Sequence, residues 1–255
     1  MTKLQPIIES YNVNEEYLYN KTYIFIKGYA SGRNFVNTLK ALPLVRKLHD
    51  GQYRNGTVLI DGKEVKLPYV LHVLKVCSTL MSLNLPLNDD ELDILYASAL
   101  CHDLLEDRED IFVNGGSELY TKFGLDKRIY TVVKLLSKKS GSTQEELSDY
   151  FNNIKYNKFA LLIKLSDRSH NVETLSVMKT ERLHRYVKET RDWIYPLVSY
   201  GKQNYPELSN GFTILKAKIV SLTEATEVIV NMFVSQLEEK DAIIKDLQTQ
   251  LKNKS

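Results

Sequence analysis

Apolar residues recur with the period of an α-helix along most of this chain. Leu39, Leu42, Val45 and Leu48 follow one another at three-residue spacing, which places their side chains on one face of a helix. Another such pattern begins at Pro68, and others lie in the segments DELDILYASALCHDLLED, RIYTVVKLLSKK and KFALLIKLSDRSHNVETLSVM. We therefore predict an all-α fold, a compact bundle of amphipathic helices.

One short segment departs from the helical pattern. TVLIDGKEVK contains Asp61-Gly62, a dipeptide typical of the tight turn of a β-hairpin. We predict a small β-hairpin inserted into the bundle at this point.

The chain after Gly211 contains no further glycine or proline, and we predict one long C-terminal helix there. Part of it follows a heptad pattern that Lys240 interrupts. The seam residues are Val230, Phe233, Leu237, Ile244, Leu247 and Leu251. Such a seam is typical of coiled coils and predicts a homo-oligomer, although a helix packed on its own domain is the alternative.

Three segments follow from these patterns. Residues 1–37 are rich in Tyr and Asn and form an N-terminal extension, either a strand or a helix packed on the main body. Residues 38–210 carry the helical bundle, and residues 211–255 form the C-terminal helix.

Composition narrows the class of protein. Of the 255 residues, 43% are hydrophobic and 26% are charged, which is typical of a globular protein. A formal net charge of +2 argues against an extended nucleic-acid surface. The two cysteines, Cys77 and Cys101, fit a reducing compartment. No segment has the apolar length of a signal peptide or a membrane span, so we predict a cytoplasmic protein without membrane or nucleic-acid partners.

The dipeptide His102-Asp103 is the most informative candidate for chemistry. An imidazole and a carboxylate side by side are a compact pair of metal ligands. If the helix continues through this segment, Glu106 lies one turn after His102, and Asp107 one turn after Asp103. The helix would then present two metal ligands followed by two further carboxylates.

A second helix offers a matching set of polar groups. Asp167, Asn171 and Thr174 stand at positions i, i+4 and i+7, which share one helical face. His72 lies in the first turns of the helix that begins at Pro68. Ligands from several helices can surround one metal ion, and this arrangement indicates metal-assisted hydrolysis.

Four sequence blocks occur in a recognisable order. They are HDGQYRNG from His49, PYVLH from Pro68, HDLLED from His102 and IKLSDRSHN from Ile163. Together they resemble the HD-superfamily hydrolase domain of the RelA/SpoT alarmone enzymes, especially the small stand-alone alarmone hydrolases. The resemblance implies an HD-domain helical bundle.

The resemblance also implies a metal centre and a reaction. One divalent metal, typically Mn²⁺, is expected on His72, His102, Asp103 and Asp167. The family removes pyrophosphate from the 3′ position of guanosine tetra- or pentaphosphate (ppGpp or pppGpp), giving GDP or GTP. The metal acidifies a bound water, so that hydroxide forms near neutral pH.

The remaining roles follow from matched positions. Glu106 and Asp107 are expected to orient the attacking water and to move protons. Arg54 matches the position that stacks on the guanine base, a task that suits a planar guanidinium. The other positions near the nucleotide are Tyr69, Asn171 and Thr174.

Several residues depart from the family pattern. Ser166 replaces an alanine before the expected metal ligand, and Arg108 stands where the family often has threonine. Asn55 replaces a basic residue after the stacking arginine, and the stretch between Gly56 and Pro68 is longer than usual. Two alternatives therefore stay open: an HD-type phosphohydrolase acting on another nucleotide, and a catalytically silent alarmone-binding or assembly module.

Overall fold

The computed structural model describes residues 15–54, 58–60, 63–138, 141–173 and 180–252. Contacts divide the chain into two compact units, Met1–Thr143 and Gln144–Ser255. Most of the described residues are helical, which confirms the all-α class. The segment boundaries predicted at residues 37 and 210 stay predictions.

The described part of the first unit contains helices and two short strands. In chain order they are α1 (Glu15–Gly32), α2 (Val36–Leu48), β1 (Val58–Ile60), β2 (Lys63–Val65), α3 (Tyr69–Ser82), α4 (Asp89–Cys101), α5 (Leu104–Asp107), α6 (Glu118–Thr121) and α7 (Lys127–Leu136).

Helix α4 is the centre of the first unit. Every residue from Leu92 to Cys101 is buried, because α4 packs against α2, α3 and α7. Its first turn is fixed by a capping box, in which Asn88 and Glu91 each accept a hydrogen bond from the other's backbone N–H. With its start fixed and its sides covered, α4 delivers the residue after Cys101 to a defined place in the core.

The N-terminal extension contributes a helix to this core. Helix α1 packs on α2 and α3, with Ile26 and Ala30 fully buried. Of the two forms predicted for this segment, the structure has the helix.

The strands β1 and β2 pair antiparallel. Val58 lies opposite Val65, and Ile60 lies opposite Lys63. The predicted turn, Asp61-Gly62, lies outside the described residues.

The second unit is built from helices throughout its described residues. They are α8 (Gln144–Lys155), α9 (Lys158–Glu173), α10 (Thr180–Glu189), a π-helical turn (Thr190–Ile194), α11 (Tyr195–Asn204), a 3₁₀ turn (Pro206–Leu208) and α12 (Ser209–Lys252). None of the described helices is both long and apolar enough to cross a lipid bilayer.

Helix α9 is the buried helix of this unit. Its N-terminus is capped by the Asn157 side chain, which accepts from the N–H groups of Phe159 and Ala160. Helices α11 and α12 approach α9 closely at Gly201, where a Cβ would lie 2.8 Å from Phe212 and 3.0 Å from Leu161. A larger residue at this position would push these helices apart.

The π-helical turn interrupts the single helix that the sequence pattern predicts through TERLHRYVKETRDWIYPLV. Pro196 has no N–H to donate, and its ring crowds the carbonyl four residues earlier. The backbone widens just before the proline, and the Tyr195 N–H bonds to the Thr190 carbonyl, five residues back.

Asp93 of α4 holds the N-terminus of α2. The N-cap residue of α2, Phe35, makes no side-chain cap. Instead, the buried Asp93 carboxylate accepts from the backbone N–H groups of Asn37 (2.9 Å) and Thr38 (2.7 Å) and from the Thr38 hydroxyl (2.8 Å). These N–H groups have no partner within the helix, so Asp93 supplies the missing cap from a neighbouring helix.

We expect Asp93→Ala to lower the free energy of unfolding by about 3 kcal/mol, because it leaves buried donors without an acceptor. Chemical denaturation monitored by circular dichroism measures this. The control is Asp89→Ala in the same helix, which removes an exposed ion pair with Arg33 and should cost less than about 1 kcal/mol. Equal losses in the two variants would contradict the capping role.

Candidate metal and hydrolase site

Two buried histidines of the first unit face each other. His72 lies on the first turn of α3, and His102 directly follows α4. Their ring centroids are 5.3 Å apart. The contact of α3 with α4 therefore brings together residues that are thirty positions apart in sequence.

Asp103 lies between the two rings. Its Oδ2 atom is 3.1 Å from Nε2 of His102 and 3.5 Å from Nε2 of His72. Burial alone would raise the pKa of Asp103, but the adjacent His102 and His72 outweigh it and hold this pKa well below its usual range. Asp103 is therefore a carboxylate at neutral pH.

The tautomer of His102 makes this arrangement suitable for a cation. Nδ1 of His102 lies 2.8 Å from the Ala99 carbonyl, which can only accept, so Nδ1 carries the proton. Nε2 of His102 then carries the second proton of the charged ring, which lowers the pKa of Asp103, or, in the neutral ring, presents a lone pair toward the lone pairs of Asp103. Two facing lone pairs repel each other unless a cation or a proton lies between them. A divalent metal requires deprotonated histidine and carboxylate ligands.

Tyr69 connects this cluster to a second carboxylate. Its single hydroxyl proton is donated to Oδ2 of Asp103 at 2.6 Å, and the same hydroxyl lies close enough to Asp107 to lower the pKa of that carboxyl. Burial, followed by the charge of Asp103, raises the pKa of Asp107 to about 6, and the Tyr69 hydroxyl only partly offsets this. Asp107 can therefore gain or lose a proton near neutral pH.

The helix that carries these residues is not continuous, in contrast to the sequence prediction. Helix α4 ends at Cys101, residues His102 and Asp103 form a turn, and α5 then adds a single helical turn. Asp107 still lies one turn after Asp103, since its N–H bonds to the Asp103 carbonyl at 2.9 Å. Glu106 accepts a bond from the backbone N–H of Lys138 at 2.7 Å.

The loop after α2 carries the predicted base-stacking residue. The Arg54 guanidinium lies over the Tyr69 ring, 5.8 Å from its centroid. The loop bends at Gly51, whose φ of +73° favours glycine. Its geometry is fixed by bonds from Tyr69 N–H to the Gln52 carbonyl and from Arg54 N–H to the Leu67 carbonyl.

Two side chains connect this loop to α5. Arg108, just after α5, bonds to the end of α2, and Gln52, just after α2, bonds to the end of α5. The Arg108 guanidinium donates to the carbonyl of Leu48, the last residue of α2. In return, the Gln52 amide donates to the carbonyl of Asp107, the last residue of α5, at 3.4 Å. Terminal carbonyls of a helix have no partner within it. These two bonds satisfy one terminal carbonyl of each helix and hold the loop beside the carboxylates.

The second unit carries the remaining predicted residues on α9. The buried Asp167 carboxylate accepts from Asn171 and, at 3.2 Å, from Lys164. The predicted i, i+4 contact is therefore present, whereas Thr174 lies outside the described residues. Lys164 was not among the predicted site residues, although its i−3 spacing from Asp167 was a usable signal.

Arg168 anchors the same helix. Its guanidinium lies 4.1 Å from the Tyr186 ring centroid, donates to the Thr190 hydroxyl at 3.2 Å and pairs with Glu189. These contacts attach α9 to the start of the π-helical turn and limit rotation of the face that carries Asp167 and Asn171.

The described residues thus define a helical protein with a buried His/carboxylate cluster of the kind that binds divalent metals. No protein-family model matches the chain. The chain is 30% identical over 189 residues to the GTP pyrophosphokinase rsh of Brucella ovis, which covers 72% of this chain and 24% of that protein.

Two further relatives have a different name. Over 160 residues, 60% of this chain, it is 29% identical to guanosine-3′,5′-bis(diphosphate) 3′-pyrophosphohydrolase of Haemophilus influenzae. Over 141 residues, 51% of this chain, it is 33% identical to the Aquifex aeolicus protein of that name. The matches cover 21% and 18% of these two proteins, so the chain spans about a quarter or less of the curated relatives it matches. These similarities support a relationship with the RelA/SpoT enzymes.

We expect Asp107→Asn to stabilise the metal-free protein at neutral pH. Because the folded-state pKa of Asp107 is raised, ionising this group costs stability, and the cost grows as pH rises from about 4 through about 6. The substitution should raise the melting temperature at pH 7.5 by a few degrees and have a smaller effect at pH 5.

Thermal unfolding in chelator at both pH values tests this, with the exposed Asp149→Asn as the control. A gain that is equal at the two pH values would show that the raised pKa is not its cause.

Proposed function

We propose that this chain is a Mn²⁺-dependent, HD-type alarmone hydrolase. It removes pyrophosphate from the 3′ position of ppGpp or pppGpp and releases GDP or GTP. The observation that carries the proposal is the cluster of the buried His72 and His102 with the half-buried Asp103, whose donor atoms face one another. Similarity to proteins named 3′-pyrophosphohydrolases supports the substrate.

In this proposal His72, His102 and Asp103 bind the metal together with Asp167, which is assigned from the sequence blocks alone. A bound divalent metal acidifies water and offsets the negative charge of the phosphates. Tyr69 holds the Asp103 carboxylate in place through its hydroxyl, so that this ligand does not have to be ordered when the ion arrives.

Asp107 is the proton acceptor of the proposed reaction. Its raised pKa makes it a better base than an ordinary aspartate. Glu106, bonded to the Lys138 N–H, assists in orienting the water. On the substrate side, Arg54 stacks on the base, and Asn171 and Thr174 are assigned to the nucleotide from the sequence.

A second candidate is a phosphohydrolase of the same chemistry that acts on another nucleotide. The observation that favours it is the position of the β-strands. Residues 58–65 lie between Arg54 and Leu67, whose backbone groups are bonded to each other. The segment with the two strands therefore begins next to Arg54, the proposed base-binding residue. At this position it can alter which base is accepted.

We expect purified protein to form GDP and pyrophosphate from ppGpp with Mn²⁺ and not with chelator. Ion chromatography separates the products. Parallel assays with GTP, deoxynucleoside triphosphates and cyclic nucleotides test the second candidate. Nucleotide binding without turnover of any substrate in Mn²⁺ would instead favour a silent binding module.

Asp103→Ala should reduce turnover to the uncatalysed background, because it removes a charged ligand. Added Mn²⁺ should raise the melting temperature of the unmodified protein but not that of the variant, since a ligand stabilises only a fold that binds it. The exposed Asp149→Ala is the matched control for both measurements. Full activity of Asp103→Ala in Mn²⁺ would refute the site.

A further inference from the structure

The last half of α12 exposes an apolar face. Near its start, Phe212, Leu215 and Ile219 are fully buried within the second unit. After Val230, almost all described side chains of α12 are exposed. A helix that exposed only polar groups here would need no partner. This helix exposes apolar groups as well.

Most of the exposed apolar side chains fall on one side of the helix, and Val228 and Met232 lie outside that group. At about 100° per residue, six of them lie within about 120° of one another around the helix axis, which makes an apolar stripe. Each exposes between 50% and 62% of its surface, and they are Ile229, Phe233, Leu237, Ile243, Ile244 and Leu247.

The area of this stripe matches a modest protein interface. At roughly 100 Å² for each of these side chains, one chain offers on the order of 600 Å², and two copies offer on the order of 1,200 Å². That is the lower end of the range for specific interfaces. Four of its residues, Phe233, Leu237, Ile244 and Leu247, follow the heptad spacing by which one helix face packs on an identical face.

We propose that this stripe binds the same stripe of a second copy of this chain, as an antiparallel pair of helices. In proteins most of the stability of a helix comes from packing of its apolar face, and a second copy covers the stripe without requiring any other partner. The proposal is independent of the proposed hydrolase activity.

Lys240 determines the orientation. In a parallel pair, the in-register Lys240 residues would face each other in the seam and repel. In an antiparallel pair centred between residues 238 and 239, Lys240 lies opposite Leu237, and Phe233 lies opposite Ile244. The lysine stem can then pack on leucine while its ammonium group reaches water.

The first test is the mass of the full chain in solution, by light scattering coupled to size exclusion. We expect a dimer, and we expect Leu237→Lys to give a monomer with unchanged helical content. Ser235→Lys adds the same charge at an exposed position away from the stripe and should remain dimeric. A monomeric parent protein, or a Leu237→Lys variant that stays dimeric, would overturn the proposal.

The second test is the orientation, by distance measurement between spin labels on Thr249→Cys. Cys77 and Cys101 are fully buried and should not react. At 1.5 Å of rise per residue, antiparallel helices place the labels about 30–40 Å apart, and parallel helices place them within about 20 Å. The short distance would refute the antiparallel arrangement.

Discussion

The hydrogen bond from Tyr69 to Asp103 is the contact on which the candidate site depends. Tyr69 begins α3, one turn before His72, whereas Asp103 follows the end of α4. Because both partners stand at helix ends, the bond fixes how α3 meets the turn after α4. The Tyr69 ring also lies under Arg54. Tyr69 therefore helps to position the loop after α2 and also orients the Asp103 carboxylate.

This arrangement has a cost for folding. Asp103 stays ionised although it is half-buried, and its charge helps to raise the pKa of Asp107. Two carboxylates held this close repel each other without a cation. The repulsion within this cluster lowers the stability of the fold. The first unit is stabilised instead by the apolar surroundings of α4 and by the hydrogen bonds of Asp93 to the N-terminus of α2. Asp93 lies near the start of α4 and Asp103 just after its end, so stability and candidate function depend on different ends of the same helix.

Helical periodicity was enough to predict the all-α class, the helix after Pro68 and the contact of Asp167 with Asn171, because these depend on neighbours along one helix. The end of α4 before His102 and Asp103 was not predicted, because local periodicity does not show where a helix ends and a turn begins. Contacts between distant residues were also not predictable. The bond from Tyr69 to Asp103 spans 34 positions and exists only because α3 and α4 pack together.

Two of the departures from the family pattern, Arg108 and the longer stretch after Gly56, belong to one segment of the first unit, whereas Ser166 lies beside Asp167 on α9. Arg108 holds the start of the loop through the Leu48 carbonyl, and the inserted strands leave from its end at Arg54. His72, His102 and Asp103 make none of these contacts among the described hydrogen bonds. In the proposed hydrolase, a change in substrate preference would therefore arise from the loop that carries Arg54, while the proposed hydrolysis depends on the histidines and carboxylates. In the proposed hydrolase, the nucleotide base that is recognised can therefore change without a change in the class of reaction.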